Sequence, residues 1–146
     1  MPTPPIRRAP ARNQNSARPS DIAVVVATLV MNLTRSMHRH PPYVEQHFGA
    51  ALELMFVSML VTIATHAGNE MTASEIAHEL SIPRSNVVRI LERLKTRGRV
   101  LKTGHTFKAN MDHLDKVMTP AIAAQKLRRV SKAHRELQSL RNKLFR

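Results

Sequence analysis

The sequence predicts a mainly α-helical fold with one short two-stranded β-hairpin. Apolar residues make up 42% of the 146-residue chain, enough for one modest core, whereas aromatic residues make up only 3%. A core of Ala, Val, Leu, Ile and Met suits packed helices better than a β-sandwich. Apolar residues recur at helical spacing over most of the chain, and only residues 99–109 have the composition of short strands.

The N-terminal part is predicted to be a tail followed by a long helix. Residues 1–19 contain five Pro, four Arg and no acidic residue, so they cannot bury enough apolar surface to fold. We therefore expect a disordered basic tail. The helix over residues 20–39 begins with Ser20 as its N-cap and stops at His40-Pro41-Pro42. Its apolar residues form one stripe, made of Ile22, Val26, Leu29, Leu33 and Met37.

Two further long helices are predicted. Residues 43–66 are apolar nearly all round in their second part, as expected for the central helix of a small helical domain, and Gly68 follows their end. The C-terminal helix, over residues 119–146, begins with Thr119 as its N-cap and a Pro in the first helical position. Its heptad-like seam consists of Leu127, Val130, Leu137 and Leu144.

Two short helices joined by a tight turn are predicted between residues 72 and 96. Thr72 and Glu75 form a capping box that opens the first helix, Ala73–Leu80. Ser81-Ile82-Pro83 makes the turn, with Pro83 in the first turn of a second helix that runs from Arg84 to about Thr96. Such a pair is a helix-turn-helix. The second helix is expected to bury Val87, Leu91 and Leu94 and to end at Gly98.

A small basic hairpin follows directly. Residues 99–102 and 106–109 have the pattern of two short strands around the turn Thr103-Gly104-His105. A hairpin in this position is a wing, so residues 72–109 form the core motif of a winged helix-turn-helix. We place that motif in a domain over residues 20–146, with the flanking helices around it. The alternative for the hairpin alone is an ordinary loop.

Positive charge is concentrated in the second half of the chain. Residues 1–83 hold six basic and six acidic residues, whereas residues 84–146 hold seventeen basic and four acidic ones, which accounts for the whole net charge of +13. A one-sided positive field attracts a polyanion such as DNA, RNA or an acidic membrane. The alternative is a solvated basic surface that keeps the protein soluble.

The outward face of the second short helix carries residue types that read bases. Arg can contact guanine with two hydrogen bonds and Asn can pair with adenine, and the base-reading residues of this motif lie in the N-terminal half of the helix. We therefore predict that Ser85, Asn86 and Arg89 read bases. Val88 also faces outward, where it could touch a thymine methyl group or pack against a neighbouring helix. Contacts to the DNA backbone are assigned to Thr72, Ser74, Arg84, Arg93, Arg99, Lys102, His105 and Lys108.

The run TASEIAHELSIPRSNVVRILERLKTRGRV resembles the helix-turn-helix of bacterial winged-helix repressors. With flanking helices on both sides, the layout resembles the MarR (multiple antibiotic resistance regulator) family. This resemblance implies a homodimer, paired through helices 20–39 and 119–146, that binds specific sites on double-stranded DNA in the bacterial cytoplasm, associated with the nucleoid. It also implies a small-molecule effector, which no residue identifies. The sequence departs from the family at Ser81, where the turn usually has Gly and where Ser implies a slightly different backbone. It also departs in its shorter wing, which argues against insertion into the minor groove.

Two other functions and a monomeric state are alternatives to this reading. A non-specific nucleoid-type or RNA-binding protein would use the basic tail and the C-terminal helix, and a winged-helix interaction module would use the heptad-like seam for protein assembly. The terminal helices could also fold back on their own core in a monomer instead of pairing with a second copy.

Several classes of site are not expected. His38 and His40 are spaced too closely for one helix face, so we expect no metal, and no cofactor motif is present. No order of catalytic residues argues for an enzyme, and the absence of Cys excludes disulfides and Cys nucleophiles. We expect no membrane partner, because the apolar residues 48–65 include Glu53 and read as a buried helix.

Overall fold

The computed structural model describes residues 16–39, 45 and 47–146. Most of the predicted basic tail and the predicted start of the second helix lie outside the described residues. Within them, six helices and three strands follow in the order α1 (Pro19–His38), α2 (Phe48–His66), β1 (Met71–Thr72), α3 (Ala73–Leu80), α4 (Arg84–Thr96), β2 (Val100–Thr103), β3 (Thr106–Ala109), α5 (Met111–Val117) and α6 (Pro120–Leu144).

The hydrophobic core surrounds α2. Leu54, Met55, Val57 and Val61 of this helix are all at most 1% exposed. They pack against the inward faces of the helix-turn-helix and of the sheet, because burying apolar surface is the main favourable term in folding. The partners from those elements are Ile76 of α3, Val87, Ile90, Leu91 and Leu94 of α4, Val100 of β2, and Phe107 and Ala109 of β3.

The fold is a winged helix, as predicted, but its sheet has three strands and not two. The order is β1-β3-β2, all antiparallel, with Met71 opposite Phe107. Strand β1 has only two residues, too few to show an alternating pattern, so it was not predicted. The predicted hairpin turn is one residue too long, because Thr103 pairs with Thr106 inside the sheet and leaves Gly104-His105 as the turn.

The helix caps were predicted with mixed success. The capping box of α3 is confirmed, since the Glu75 N–H donates to the Thr72 hydroxyl at 3.2 Å and the Thr72 N–H donates to the Glu75 carboxylate at 2.7 Å. Thr119 caps α6 as expected. Ser20 is wrong as the N-cap of α1, because Pro19 occupies the first helical position that suits Pro. The N-cap is therefore Arg18, two residues earlier than predicted, and the Asp21 carboxylate accepts from the N–H of Arg18 at 2.9 Å.

The turn between α3 and α4 has an unusual residue. Ser81 lies in the left-handed region with φ of 52°, the conformation for which Gly is normally used. The backbone there therefore takes the course that a Gly would take, contrary to the expectation of a different one. Pro83 is the N-cap of α4 and not part of its first turn, and its carbonyl accepts from the N–H groups of Asn86 and Val87.

The terminal helices pack on each other outside this core. The Arg129 guanidinium of α6 donates to the backbone carbonyl of Asn32 in α1 at 3.0 Å, and α1 has no buried residue. By length and composition alone, α1 and α2 could each cross a membrane. Length and composition are weak evidence for a membrane span. The core helix of a folded domain, such as α2, meets both criteria, and so does an apolar helix near an N-terminus.

Candidate nucleic-acid interface

The face of α4 opposite the core carries the predicted base-reading residues. Because Val87, Leu91 and Leu94 point inward and are fully buried, Ser85 and Arg89 are left exposed and Asn86 is half-buried. The Arg89 guanidinium donates to the Asn86 side-chain oxygen at 3.4 Å, a long hydrogen bond that holds the two groups side by side. Val88 is 37% exposed on the same helix. The N-terminal half of α4 thus presents a donor-rich surface to solvent.

The start of α3 lies beside the start of α4. The Arg84 Nε donates to the Ser74 hydroxyl at 3.0 Å. Two residues that were predicted to contact the DNA backbone are therefore neighbours. Thr72 is a third residue predicted to contact the DNA backbone, and its hydroxyl takes part in the capping box. The Glu75 carboxylate of that box has its pKa lowered, chiefly because it accepts a hydrogen bond from the Thr72 backbone and then one from the Thr72 hydroxyl.

Arg93, at the C-terminal half of α4, has a carboxylate partner. Its guanidinium forms an ion pair with Glu45, whose side chain is 16% exposed, whereas that of Arg93 is 39% exposed. A phosphate contact by Arg93 would have to share the guanidinium with this carboxylate. Sequence reading missed Glu45 because the two residues are 48 positions apart and no periodicity links them.

The wing carries three predicted backbone-contacting residues. The Lys102 ammonium lies 5.6 Å from the centre of the Phe107 ring, and the Lys108 ammonium lies 4.0 Å from the Glu70 carboxylate. His105 is exposed in the two-residue turn. An exposed ion pair contributes about 0–1 kcal/mol and a cation–π contact of an exposed lysine about 0.5–1 kcal/mol, so both lysines can turn to a phosphate at little cost.

Arg99 has a different environment from the other predicted backbone-contacting residues. It is half-buried at the junction of α4 and β2, and it lines a cavity that also contains Lys126 of α6. Arg99 precedes Val100, the first residue of β2, although the sequence predicted it to begin the strand. Among the residues that the structure describes, no group of three His, Cys, Asp or Glu side chains could hold a metal ion.

One family model matches the part of the chain that carries this surface. Residues 59–111 match the model of a family described as sugar-specific transcriptional regulator TrmB. The matched residues run from within α2 to the start of α5, so they contain β1, both helices of the helix-turn-helix and the wing. No curated protein and no solved structure matches the chain significantly.

The fold and this match together define the class of the protein. The match supports a DNA-binding transcriptional regulator, and the fold is a winged helix. The matched family is one of regulators and not of enzymes. It covers little more than a third of the chain, and the MarR-like arrangement of the outer helices remains a resemblance of layout.

Proposed function

We propose that the protein is a homodimeric transcriptional regulator that binds specific sites on double-stranded DNA. The observation that carries this proposal is the hydrogen-bonded Asn86–Arg89 pair on the N-terminal half of α4, opposite a fully buried face. A guanidinium and an amide held one turn apart suit the edges of guanine and adenine in the major groove. The regulator would act in the bacterial cytoplasm, where the nucleoid is.

Each predicted residue has a role in this proposal. Ser85, Asn86 and Arg89 read bases, because they lie where the recognition helix of this motif enters the major groove. The contacts to phosphate oxygens, which position the protein without reading sequence, come from Thr72, Ser74, Arg84, Arg93, Arg99, Lys102, His105 and Lys108. The two-residue wing turn is short, so we place the wing along the DNA backbone and not inside the minor groove.

The homodimer is supported by apolar side chains that the protomer leaves in solvent. On α1, Val24 and Val30 are 56% and 55% exposed, and on α6 Leu127 and Val130 are 67% and 47% exposed. Since α1 and α6 pack on each other, these side chains belong to one neighbouring pair of helices. Apolar surface concentrated in this way marks an interaction site, and a second copy is the partner that a two-fold DNA site requires.

Selection of bound sequences from a random double-stranded DNA pool tests this function. We expect an enriched motif with two half-sites related by two-fold symmetry, about one helical turn apart. Failure to enrich any motif while random DNA is still retained would instead support the non-specific nucleoid-type or RNA-binding alternative. Loss of all DNA at physiological salt would support the interaction module.

A further inference from the structure

Helix α6 has three sides of different composition. One side packs on α1, with Ala133 buried. A second side carries the exposed apolar residues Leu127 and Val130. The third side carries six exposed polar or basic residues at spacings of 4, 3, 4, 3 and 4, which place them in one line along the helix. This basic stripe consists of Arg128, Lys132, Arg135, Ser139, Asn142 and, just after the end of α6, Arg146.

The basic stripe contains no acidic and no apolar residue. Arg, Lys, Ser and Asn are all residue types that contact phosphate oxygens in complexes with DNA. The one acidic residue of α6, Glu136, lies outside the stripe, in the cleft between α6 and α1. Among the ion pairs of the described residues, none includes a residue of α6. The positive charges of the stripe are therefore not compensated within the protomer.

The basic stripe leads away from the recognition helix. The N-terminal part of α6 lies near the junction of α4 and β2, since Lys126 and Arg99 line one cavity. From there α6 runs along α1, where Arg129 donates to the carbonyl of Asn32. Leu144, at the other end of α6, is roughly 27 Å from Lys126 at a rise of about 1.5 Å per residue. The stripe therefore offers phosphate contacts at a distance from those of the winged helix.

We propose that the basic stripe binds the phosphate backbone of a second DNA duplex, so that the protein joins two duplexes. Neighbouring side chains of the stripe are about 5–6 Å apart, and duplex DNA carries one negative charge per about 1.7 Å of its axis, so each cation can reach a phosphate. Phosphate contacts carry no sequence information, so the second duplex can have any sequence. The joining of two duplexes rests on the proposed function, whereas the binding of DNA by the stripe does not.

The proposed homodimer would leave the basic stripe open. Leu127 and Val130, which a second copy would cover, lie on a different side of α6 from Arg128 and Lys132. Both copies would then present their stripes to solvent while the two recognition helices hold one site.

Two other polyanions fit the basic stripe less well than duplex DNA. A helix that lies on a membrane buries an apolar side at the headgroup boundary, and the exposed apolar residues of α6 are those that the homodimer would cover. Single-stranded RNA is bound largely by bases that stack on aromatic side chains, and the stripe has no aromatic residue. The stripe has the composition expected for contacts to a phosphate backbone alone.

Capture of a second duplex by the full chain tests this surface. A duplex with a selected site is immobilised and saturated with protein, and a labelled duplex of random sequence is added at several salt concentrations. We expect capture by the wild type. Lys132→Gln/Arg135→Gln should weaken this capture about tenfold or more and reduce its salt slope by about 2, because each lost phosphate contact reduces the slope by about 1. The affinity for the selected site should change less than about threefold.

Arg39→Gln/Lys116→Gln is the matched control. It removes one Arg and one Lys from exposed positions outside the stripe, at the end of α1 and on α5, so the net charge falls equally. It should capture the second duplex as the wild type does. Lys132→Arg/Arg135→Lys keeps both charges and should also keep capture, because a phosphate contact requires the charge.

Four results would overturn the proposal. The first is no capture of a second duplex by the wild type. The second is equal weakening in both Gln variants, which would be a general effect of net charge. The third is that Lys132→Gln/Arg135→Gln loses affinity only for longer DNA flanking the selected site, which would place the stripe on the same duplex. The fourth is stronger capture of double-stranded RNA or of phosphatidylserine vesicles than of DNA.

Failure of the proposed function would give a different pattern of results. Suppose that the chain selects no DNA motif, and that its binding to random DNA is weakened by Lys132→Gln/Arg135→Gln but not by the control. That result would reject the proposed function and leave the stripe as a DNA-binding surface. A chain that selects a motif and captures no second duplex would reject only the role of the stripe.

Discussion

At the scale of single residues, Arg89 is the side chain on which site recognition depends most. It is exposed, one helical turn from Asn86, and the two side chains are hydrogen-bonded. We predict that Arg89→Ala costs about 1–3 kcal/mol in affinity for a selected DNA site and relaxes the choice of base at one position. Fluorescence anisotropy on the site and on single-base variants measures both effects.

The control for this prediction removes an equal charge elsewhere. Arg128→Ala takes a positive charge from an exposed position on α6, so it should reduce affinity slightly and leave base choice unchanged. If Arg89→Ala weakened all DNA sequences by the same factor, Arg89 would be a phosphate contact and the base-reading role would pass to Ser85 and Asn86.

Ser81 is strained by its backbone conformation. A non-glycine residue in the left-handed region costs about 1–2 kcal/mol, whereas a Gly there loses about 0.5–1 kcal/mol through the greater freedom of the unfolded chain. We predict that Ser81→Gly raises the free energy of unfolding by about 0.5–1 kcal/mol, measured by urea denaturation. Ser81→Ala removes the same hydroxyl and keeps the strain, so a Gly variant no more stable than the Ala variant would contradict this account.

At the scale of elements, the capping box makes the start of α3 sensitive to acid. Because the pKa of Glu75 is lower in the folded chain than its ordinary value of 4.5, its contribution to stability is present above that value and is lost as the pH falls through the folded pKa. We predict that Glu75→Gln keeps a neutral cap and loses less stability than the wild type between about pH 5 and pH 3. Unfolding free energies at both pH values give the comparison.

Glu79→Gln is the matched variant for this test. It removes the same charge from the same helix without touching the cap, so its pH profile should follow that of the wild type. Parallel profiles for the wild type and Glu75→Gln would mean that the carboxylate of the capping box does not affect stability.

Some elements could be predicted from the sequence and others could not. The bounds of α3 and α4 follow from signals within a few residues of their ends, namely the Thr72 capping box and Gly98. The two-residue strand β1 and the seven-residue helix α5 are too short to show a period. The Arg93–Glu45 ion pair and the cavity depend on tertiary packing, which places groups from distant parts of the chain together and leaves no local pattern.

At the scale of the whole molecule, the outer helices decide the state of assembly. If Leu127 is buried in a two-fold interface, both copies contribute, and the two side chains supply about 3–6 kcal/mol of dimer stability. We predict that the wild type is a dimer at micromolar concentration and that Leu127→Glu is a monomer under the same conditions. Light scattering coupled to size-exclusion chromatography gives the mass of each.

Gln125→Glu adds the same charge at an exposed position of α6 and is expected to remain dimeric. A wild type that stays monomeric at tens of micromolar would reject the homodimer. It would favour the alternative in which the outer helices pack only on the core of their own protomer.

The charge of the whole assembly sets the salt dependence of DNA binding. If about six phosphates are contacted per dimer, the logarithm of the binding constant should fall with the logarithm of the salt concentration with a slope near −5. Titrations at four or more salt concentrations on one selected site give this slope. A slope near zero would show that the basic residues of the second half of the chain do not contact the backbone.

Helix α1 is twenty residues long and contains no buried residue. Because helices are stabilised mainly by tertiary packing, α1 is only weakly stabilised within a single protomer. Its amide hydrogens should exchange with solvent by local opening, far more easily than those of α2. Because a second copy would cover the exposed valines, this exchange should slow as the protein concentration rises. The exchange rate of α1 would then measure the fraction of the protein that is dimeric. In cells with few copies of the protein, most chains would be monomers in which α1 opens often.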